Sequence, residues 1–331
     1  MLKGKKKFFK LRISVTDICN LSCRHCFAKA HAKHMDFELF KKAVDNLYDI
    51  FKETSIISYM GGEPMLYPHA VESVYYITAK NMKVSFTTNG YKVDMAKLNK
   101  IKQAGDVVLA VSLDGPEEFH NQNRGRDDSY REAIKTIEAV CGIQDVAVIS
   151  LPFFKESIGF FDFYRYLLKQ YKCMLRFSRF VPVGRGQALQ EEMASREDYT
   201  ELFKFAGECN SGANRLCVDI MDPFFPNPLN GNRMRSCSCG EKIAFVNTDG
   251  EVWPCWRMQL SLGDLKERHL KDILQNPLIH EYMDESRLKG RCAVCGNRQV
   301  CKGGCHAVPF TLYGDYHGED PQCPYFKGTV V

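Results

Sequence analysis

The chain of 331 residues is 45% hydrophobic and 26% charged, with a formal net charge of +5, a composition that supports a large core. Its longest apolar runs, such as Val107–Val111 and Val146–Leu151, are too short to span a bilayer. The basic start Lys3–Lys10 leads into Ile13–Thr16 and then charge, not into an apolar signal core. A protein that is neither secreted nor membrane-bound is therefore expected, with the cytoplasm as its location. Basic residues are scattered beyond the N-terminus, so nucleic acid is not an expected partner.

In chain order, β-rich runs alternate with amphipathic stretches. Strands are predicted at Leu11–Thr16, Ser55–Met60, Lys83–Thr88, Val107–Leu113, Asp145–Leu151 and Leu175–Val181. Helices are predicted at Asp36–Phe51, His69–Lys80, Val93–Ala104, Tyr130–Val140, Gly159–Tyr171 and Ser195–Cys209. Six βα repeats imply an α/β fold with a parallel sheet and right-handed crossovers. Pattern alone leaves a doubly wound sheet and a partial barrel open. The unusual elements decide: a cysteine triplet follows the first strand, Gly61-Gly62-Glu63-Pro64 the second, Thr88-Asn89-Gly90 closes the third and Ser112–Asp114 the fourth. Strand C-terminal ends share one face in a barrel, where βα loops build active sites. A partial (β/α)6 TIM-like barrel is expected over residues 1–190. A bridging region is expected at 191–235, including the proline- and asparagine-rich Asp222–Asn232, and a small cysteine-rich domain at 236–331.

Cysteine usage is the outlier. Fifteen cysteines occur, three within Cys19–Cys26 and eight between Cys237 and Cys323, while Cys141, Cys173, Cys209 and Cys217 stand alone. A reducing compartment disfavours disulfides, so the clusters read as metal or iron–sulfur ligands. The isolated four read as small buried hydrophobes.

Cys19, Cys23 and Cys26 have CX3CX2C spacing. Three thiolates can hold a [4Fe–4S] cube by three irons and leave the fourth open. With Gly61-Gly62-Glu63-Pro64, Thr88-Asn89-Gly90, Ser112-Leu-Asp114-Gly115 and His120-Asn-Gln-Asn-Arg124-Gly125 in this order, the first 190 or so residues resemble the radical S-adenosylmethionine (SAM) superfamily. The resemblance implies that SAM chelates the open iron and yields a 5′-deoxyadenosyl radical. It also implies that Gly61 and Gly62 let backbone carbonyls approach the SAM amino group and that Glu63 belongs to the same pocket. Ser112 and Arg124 would lie near the ribose and carboxylate, and His25 near adenine.

The tail reads Cys237-Ser-Cys239-Gly240, then Gly250-X4-Cys255, Cys292-X2-Cys295-X5-Cys301-X3-Cys305 and Cys323. This resembles the SPASM extension of radical SAM enzymes, which implies two auxiliary [4Fe–4S] clusters. The outer one would take Cys292, Cys295, Cys301 and Cys323. The inner one would take Cys237, Cys255 and Cys305, with Cys239, Cys217 or substrate as the fourth ligand. Zinc is the competing reading, but a zinc ribbon separates its pairs by roughly 15–20 residues, and five is too tight. Gly303-Gly304-Cys305-His-Ala, Gly314-Asp315-Tyr316 and Glu319-Asp320-Pro321-X-Cys323 are similar to the tails of enzymes acting on haem precursors and of some peptide maturases.

The expected activity is oxidative maturation of a peptide or protein. The alternative is side-chain processing of a tetrapyrrole or other cofactor precursor, and a non-enzymatic multi-cluster electron carrier is a third reading. Gly61-Gly62-Glu63-Pro64 argues against a carrier, which needs no SAM pocket. Only eighteen residues precede Cys19, so a leader peptide is expected to need a separate carrier protein. A ferredoxin or flavodoxin is the expected reductant. For a tetrapyrrole, Arg176, Arg179 and Arg185 are the expected basic walls, although Arg176 and Arg179, three apart, would not both face inward along one strand. Asp114, Glu117 and Asp219 are base candidates only by being acidic.

Overall fold

The structure is a computed structural model that describes residues 8–28, 32–211, 217–224 and 236–325. Lys3–Lys7 of the basic start and most of Asp222–Asn232 lie outside the described residues.

Strands β1 (Phe9–Thr16), β2 (Ser55–Gly61), β3 (Lys83–Thr88), β4 (Val107–Ser112), β5 (Ala147–Phe153) and β6 (Cys173–Arg179) pair in parallel with their sequence neighbours. This unbroken order distinguishes the partial barrel from a doubly wound sheet, whose order reverses midway. The crossovers carry α1 (Phe37–Phe51), α2 (Ala70–Thr78), α3 (Met95–Gln103), α4 (Glu117–Arg124), α5 (Ser129–Ile143) and α6 (Phe161–Gln170). Asp36 lies just outside α1 as its cap, its carboxylate accepting the Leu39 amide at 2.9 Å. Leu39, Phe40, Ala43, Val44 and Leu47 then form one buried face. Helix α4 is an addition to the expected elements. Acidic Glu117 and Glu118 open it, and Gly125 ends it at φ 72°.

The tail is continuous with this sheet. Helix α7 (Arg196–Asn210) leads to β7 (Val218–Met221), which pairs with β6. On the other side β8 (Ile243–Val246) joins β1 in parallel, followed by antiparallel β9 (Glu251–Trp253) and β10 (Gly263–Asp264). The sheet thus runs β10-β9-β8-β1-β2-β3-β4-β5-β6-β7. It crosses both expected segment boundaries, with α7 and β7 inside the bridging segment and β8 docked on the first barrel strand. Among the described residues no helix is long and apolar enough to cross a membrane.

Alternation along each strand separates two environments. Leu11, Ile13 and Val15 of β1, and Cys173, Leu175 and Phe177 of β6, pack in the main core. The opposite faces carry Lys10 and Arg12, Ser58, Ser85 and Thr87, Ser150, Arg176 and Ser178, which surround a cavity of about 300 Å³. Bulky apolar residues would have filled this interior, as they do in a closed barrel. Polar ones leave it open.

Candidate functional site

The strand ends over this cavity are cross-tied. After β1, the Gly62 and Glu63 amides donate to Thr16 O (2.7 Å) and Ile18 O (2.8 Å). A Cβ on Gly61 would stand 2.2 Å from Thr16 O, and one on Gly62 2.1 Å from Ile18 O. The missing side chains therefore admit the chain's own Thr16–Ile18 segment, which delivers Cys19. Glu63 is buried, and its two carboxylate oxygens accept the amides of Met65 (3.0 Å) and Asn89 (2.7 Å). Burial pushes this carboxyl up and those amides hold it down. Glu63 thus joins the second strand end to the third. Asn89 donates its side-chain amide to Asn20 (2.8 Å) and toward Cys19 Sγ (3.7 Å).

At the fourth strand end, Asp114 and Arg124 form a buried bidentate pair, Nε–Oδ2 2.8 Å and Nη2–Oδ1 2.5 Å. The third nitrogen, Nη1, points at Cys23 Sγ, 3.7 Å away. The fork expected to meet a ligand carboxylate is closed on Asp114, and its free edge faces a thiol instead. Burial raises the Asp114 carboxyl, but Arg124, His25 and His120 outweigh it and bring it to about 2. The same Arg124 opposes the rise that burial imposes on the Cys23 thiol. Helix α4 supplies both Arg124 and His120, whose Nδ1 accepts the Asp114 amide at 3.0 Å. His25 lies edge-on to Phe154 with ring centroids 5.5 Å apart, its Nδ1 buried without a hydrogen bond. Ser112 lines the cavity with Cys19, Cys23, Cys26, His25, Gly61, Gly62, Glu63 and Arg124.

The tail thiols fall into two groups. Cys239 touches both Cys237 and Cys255, and Cys255 couples electrostatically to Cys305. Cys237, Cys255 and Cys305 are buried within the main core. Cys217 lies elsewhere, just before β7 and near Cys209, its amide bonded to Asn210 Oδ1 at 2.9 Å. Cys292, Cys295, Cys301 and Cys323 line a separate small cavity of about 20 Å³. Burial, then Cys323, pushes Cys301 up to about 12 and Cys292 to about 11. Backbone amides point at sulfur in both groups, Arg257 N–H to Cys255 Sγ and Asn297 N–H to Cys295 Sγ, each at 3.4 Å. Soft thiols with amide and guanidinium donors suit iron–sulfur clusters, whose potentials depend on such hydrogen bonds. Among the described residues no three His, Cys, Asp or Glu converge on one metal ion.

Two roles escaped the sequence reading. Arg179 ends β6 as a buried clamp, bonding Asp222 at 2.6 Å and also Asp320. Asp320 in turn accepts the Cys305 amide at 3.4 Å, so the clamp fastens the inner thiols to the barrel. Its charge is committed there and is not a free wall. Arg185 uses its backbone amide on Cys26 O (2.9 Å). Lys10 and Arg12, alternating with Leu11 and Ile13, carry the inward charge instead; period-two patterning was the signal that could have found them. Glu117 is exposed, and Asp219 lies 3.7 Å from Arg176.

Comparison with known proteins follows this division. The radical SAM superfamily model matches residues 13–159, and the SPASM iron–sulfur cluster-binding domain model matches 237–297. Over 94% of its length the chain is 27% identical to the AdoMet-dependent heme synthase of Oleidesulfovibrio alaskensis, covering 86% of that protein. Over 93% it is 26% identical to the mycofactocin maturase MftC of Mycobacterium ulcerans, again covering 86%. Native anSMEcpe with bound AdoMet and Kp18Cys peptide superposes with a TM-score of 0.76 at 21% identity, covering 95% of this chain and 93% of that one.

Proposed function

From the premise that the chain belongs to the radical SAM superfamily and ends in a SPASM iron–sulfur domain, we propose that it oxidises a substrate held in the barrel cavity between two redox sites. One observation carries this reading. The same cavity is lined by Cys19, Cys23, Gly61 and Gly62 and also by Arg257, whose amide bonds the Cys255 thiol. When bound, a [4Fe–4S] cluster and SAM supply a 5′-deoxyadenosyl radical that removes a hydrogen atom from an unactivated carbon.

The chain's own residues do the rest. Cys19, Cys23 and Cys26 would hold the first cluster, with Arg124 beside Cys23 favouring its thiolate. The backbone at Gly61–Gly62, with Glu63, Ser112, His25 and Arg124, would enclose SAM. Cys237, Cys239, Cys255 and Cys305 would hold the inner auxiliary cluster, and Cys292, Cys295, Cys301 and Cys323 the outer. Cys239 is preferred to Cys217 because it touches Cys237 and Cys255. Those four inner thiols would thus hold, beside the cavity wall, a group able to accept the electron left on the substrate. A small reduced carrier such as a ferredoxin or flavodoxin would supply the initiating electron, in the cytoplasm. Residues 1–190, 191–235 and 236–331 would serve as core, bridge and cluster domain, sharing one sheet.

Peptide or protein maturation is the first reading, in line with the mycofactocin maturase relatives. Processing of a tetrapyrrole, in line with the heme synthases, is favoured by the cationic side chains lining the cavity. Anaerobic reconstitution should give brown protein with about 11–12 irons, three cubes' worth. SAM cleavage is then measured with iron-coproporphyrin and with a cysteine- or aromatic-containing peptide. Stimulation by one selects the substrate class. A colourless protein with stoichiometric zinc would sink the whole reading.

A further inference from the structure

Three arginines of this molecule, two buried and one half-buried against the barrel cavity, meet different fates. Arg124 is paired with Asp114, and Arg179 with Asp222 and Asp320. Arg12 has neither a hydrogen bond nor an ion pair with any described residue, yet burial is strong enough to pull its guanidinium below the usual range. It projects into the barrel cavity with Lys10, two residues earlier on the same face of β1, and with Arg176 from β6. Burial, then Arg12 and Arg176, brings the Lys10 ammonium down to about 8. Asp219 is the carboxylate that offsets them, 3.7 Å from Arg176.

Burying unpaired charge is costly, and folds answer it with a counter-charge. This fold answers it for Arg124 and Arg179 and leaves it undone at the base of the cavity. Cys239 and Cys255 are the groups that offset Arg12, and their thiols give up their protons only well above the ordinary range, while among the described residues Lys10 and Arg176 share Asp219. Guanidinium forks and an ammonium group suit carboxylate oxygens. A surplus of cations facing a cavity between serines and threonines therefore defines the occupant's chemistry.

We propose that Lys10, Arg12 and Arg176 form a binding site for a substrate carboxylate at the base of the barrel cavity. The inference rests on the proposed function and narrows its substrate to an organic acid, entering carboxylate first with the carbon to be oxidised above it. A propionate of a tetrapyrrole and the C-terminus of a peptide share this chemistry.

The test uses anaerobic, SAM-loaded holoenzyme. Binding of coproporphyrin III is compared with that of its tetramethyl ester by fluorescence. An aromatic-containing pentapeptide with a free C-terminus is compared with its amide by titration calorimetry. At least one acid should bind about 10-fold or more tightly than its neutral form, the worth of one charge-assisted bond. Arg12→Gln and Lys10→Met should each reduce that ratio toward one, while Arg12→Lys, which keeps the charge, should retain a preference. Preference confined to the porphyrin or to the peptide names the source, and either supports the site. Equal binding of acid and neutral forms, no saturable binding of either acid, or a preference untouched in both charge-removing variants overturns it. Reductive SAM cleavage without substrate is read on the same wild-type sample. Its absence counts against the radical SAM reading, and its presence without acid preference counts against the carboxylate site alone.

Discussion

The thiols of the N-terminal loop and those of the tail are secured in opposite ways. Cys19 is exposed, Cys26 half-buried and Cys23 buried, on a loop braced from behind by backbone bonds to Gly62 and Glu63 and by the Arg124–Asp114 pair. Cys237, Cys255 and Cys305 lie inside the main core, with Arg179 tying Cys305's neighbour Asp320 to the barrel. A site that exchanges a small molecule with the cavity has to stay open in front, so its support comes from strand ends. Thiols enclosed on all sides need a rigid core, and here the extended sheet supplies it.

The sharpest way to break the comparison is to remove one thiol from each region. Cys23→Ala should abolish reductive SAM cleavage, measured as 5′-deoxyadenosine formed, because the open site loses a ligand. Cys301→Ala should lose a tail cluster and keep part of the uncoupled cleavage. Equal cleavage in wild type and Cys23→Ala would contradict the assignment. Complete loss in Cys301→Ala would show that the regions fold or pass electrons as one unit.

Next in size is the clamp. Arg179→Leu leaves Asp222 and Asp320 buried without their counter-charge, a cost of about 3–5 kcal/mol, read by denaturant unfolding. Tail iron should fall while the SAM-responsive electron paramagnetic resonance signal of the N-terminal cluster persists. Loss of both signals together would erase the distinction.

Acid should strain both regions through buried neutral histidines. Burial lowers His120, behind the open site, and His306, whose Nδ1 contacts Tyr316 O in the tail, from 6.5 to about 4. The unfolded chain takes these protons first, so stability falls as pH drops from 6.5 toward 4, by up to about 2 kcal/mol per histidine at pH 5. Unfolding titrations at pH 7 and pH 5 should show a shallower loss in His120→Asn and in His306→Asn, and the larger relief marks the region that yields first. Comparable in size is Gly62→Ala. Its Cβ would meet the Ile18 carbonyl, costing about 1–3 kcal/mol and weakening SAM affinity, measured by equilibrium binding, while tail iron content stays unchanged.

Reading the sequence located the six barrel strands to within about two residues, because apolar alternation and glycine-rich ends mark them. Helix α4 was hidden because His120–Arg124 reads first as a polar motif, with Phe119 its single buried apolar residue. Strands β7 to β10 are two to four residues long, too short for periodicity to register. The thiols were legible through spacing. Their two groups followed from the resemblance, and only the choice between Cys239 and Cys217 needed the fold, which brings Cys239 against Cys237 and Cys255.

By itself, the sequence determined the chemistry of this protein: which atoms are soft donors, which strand ends carry glycine, and that the repeats wind a parallel sheet. Those are local properties, written within a few residues of one another. Tertiary structure alone decided what each charge faces. Arg179 and Asp320 are 141 residues apart, Arg124 and Cys23 are 101 apart, and no local pattern encodes either meeting. Lys10 and Arg12 look like an ordinary polar face until the sheet curls them toward Arg176. Half-burial around one cavity then leaves less water to screen them, and an ordinary pair of basic residues becomes a cationic wall.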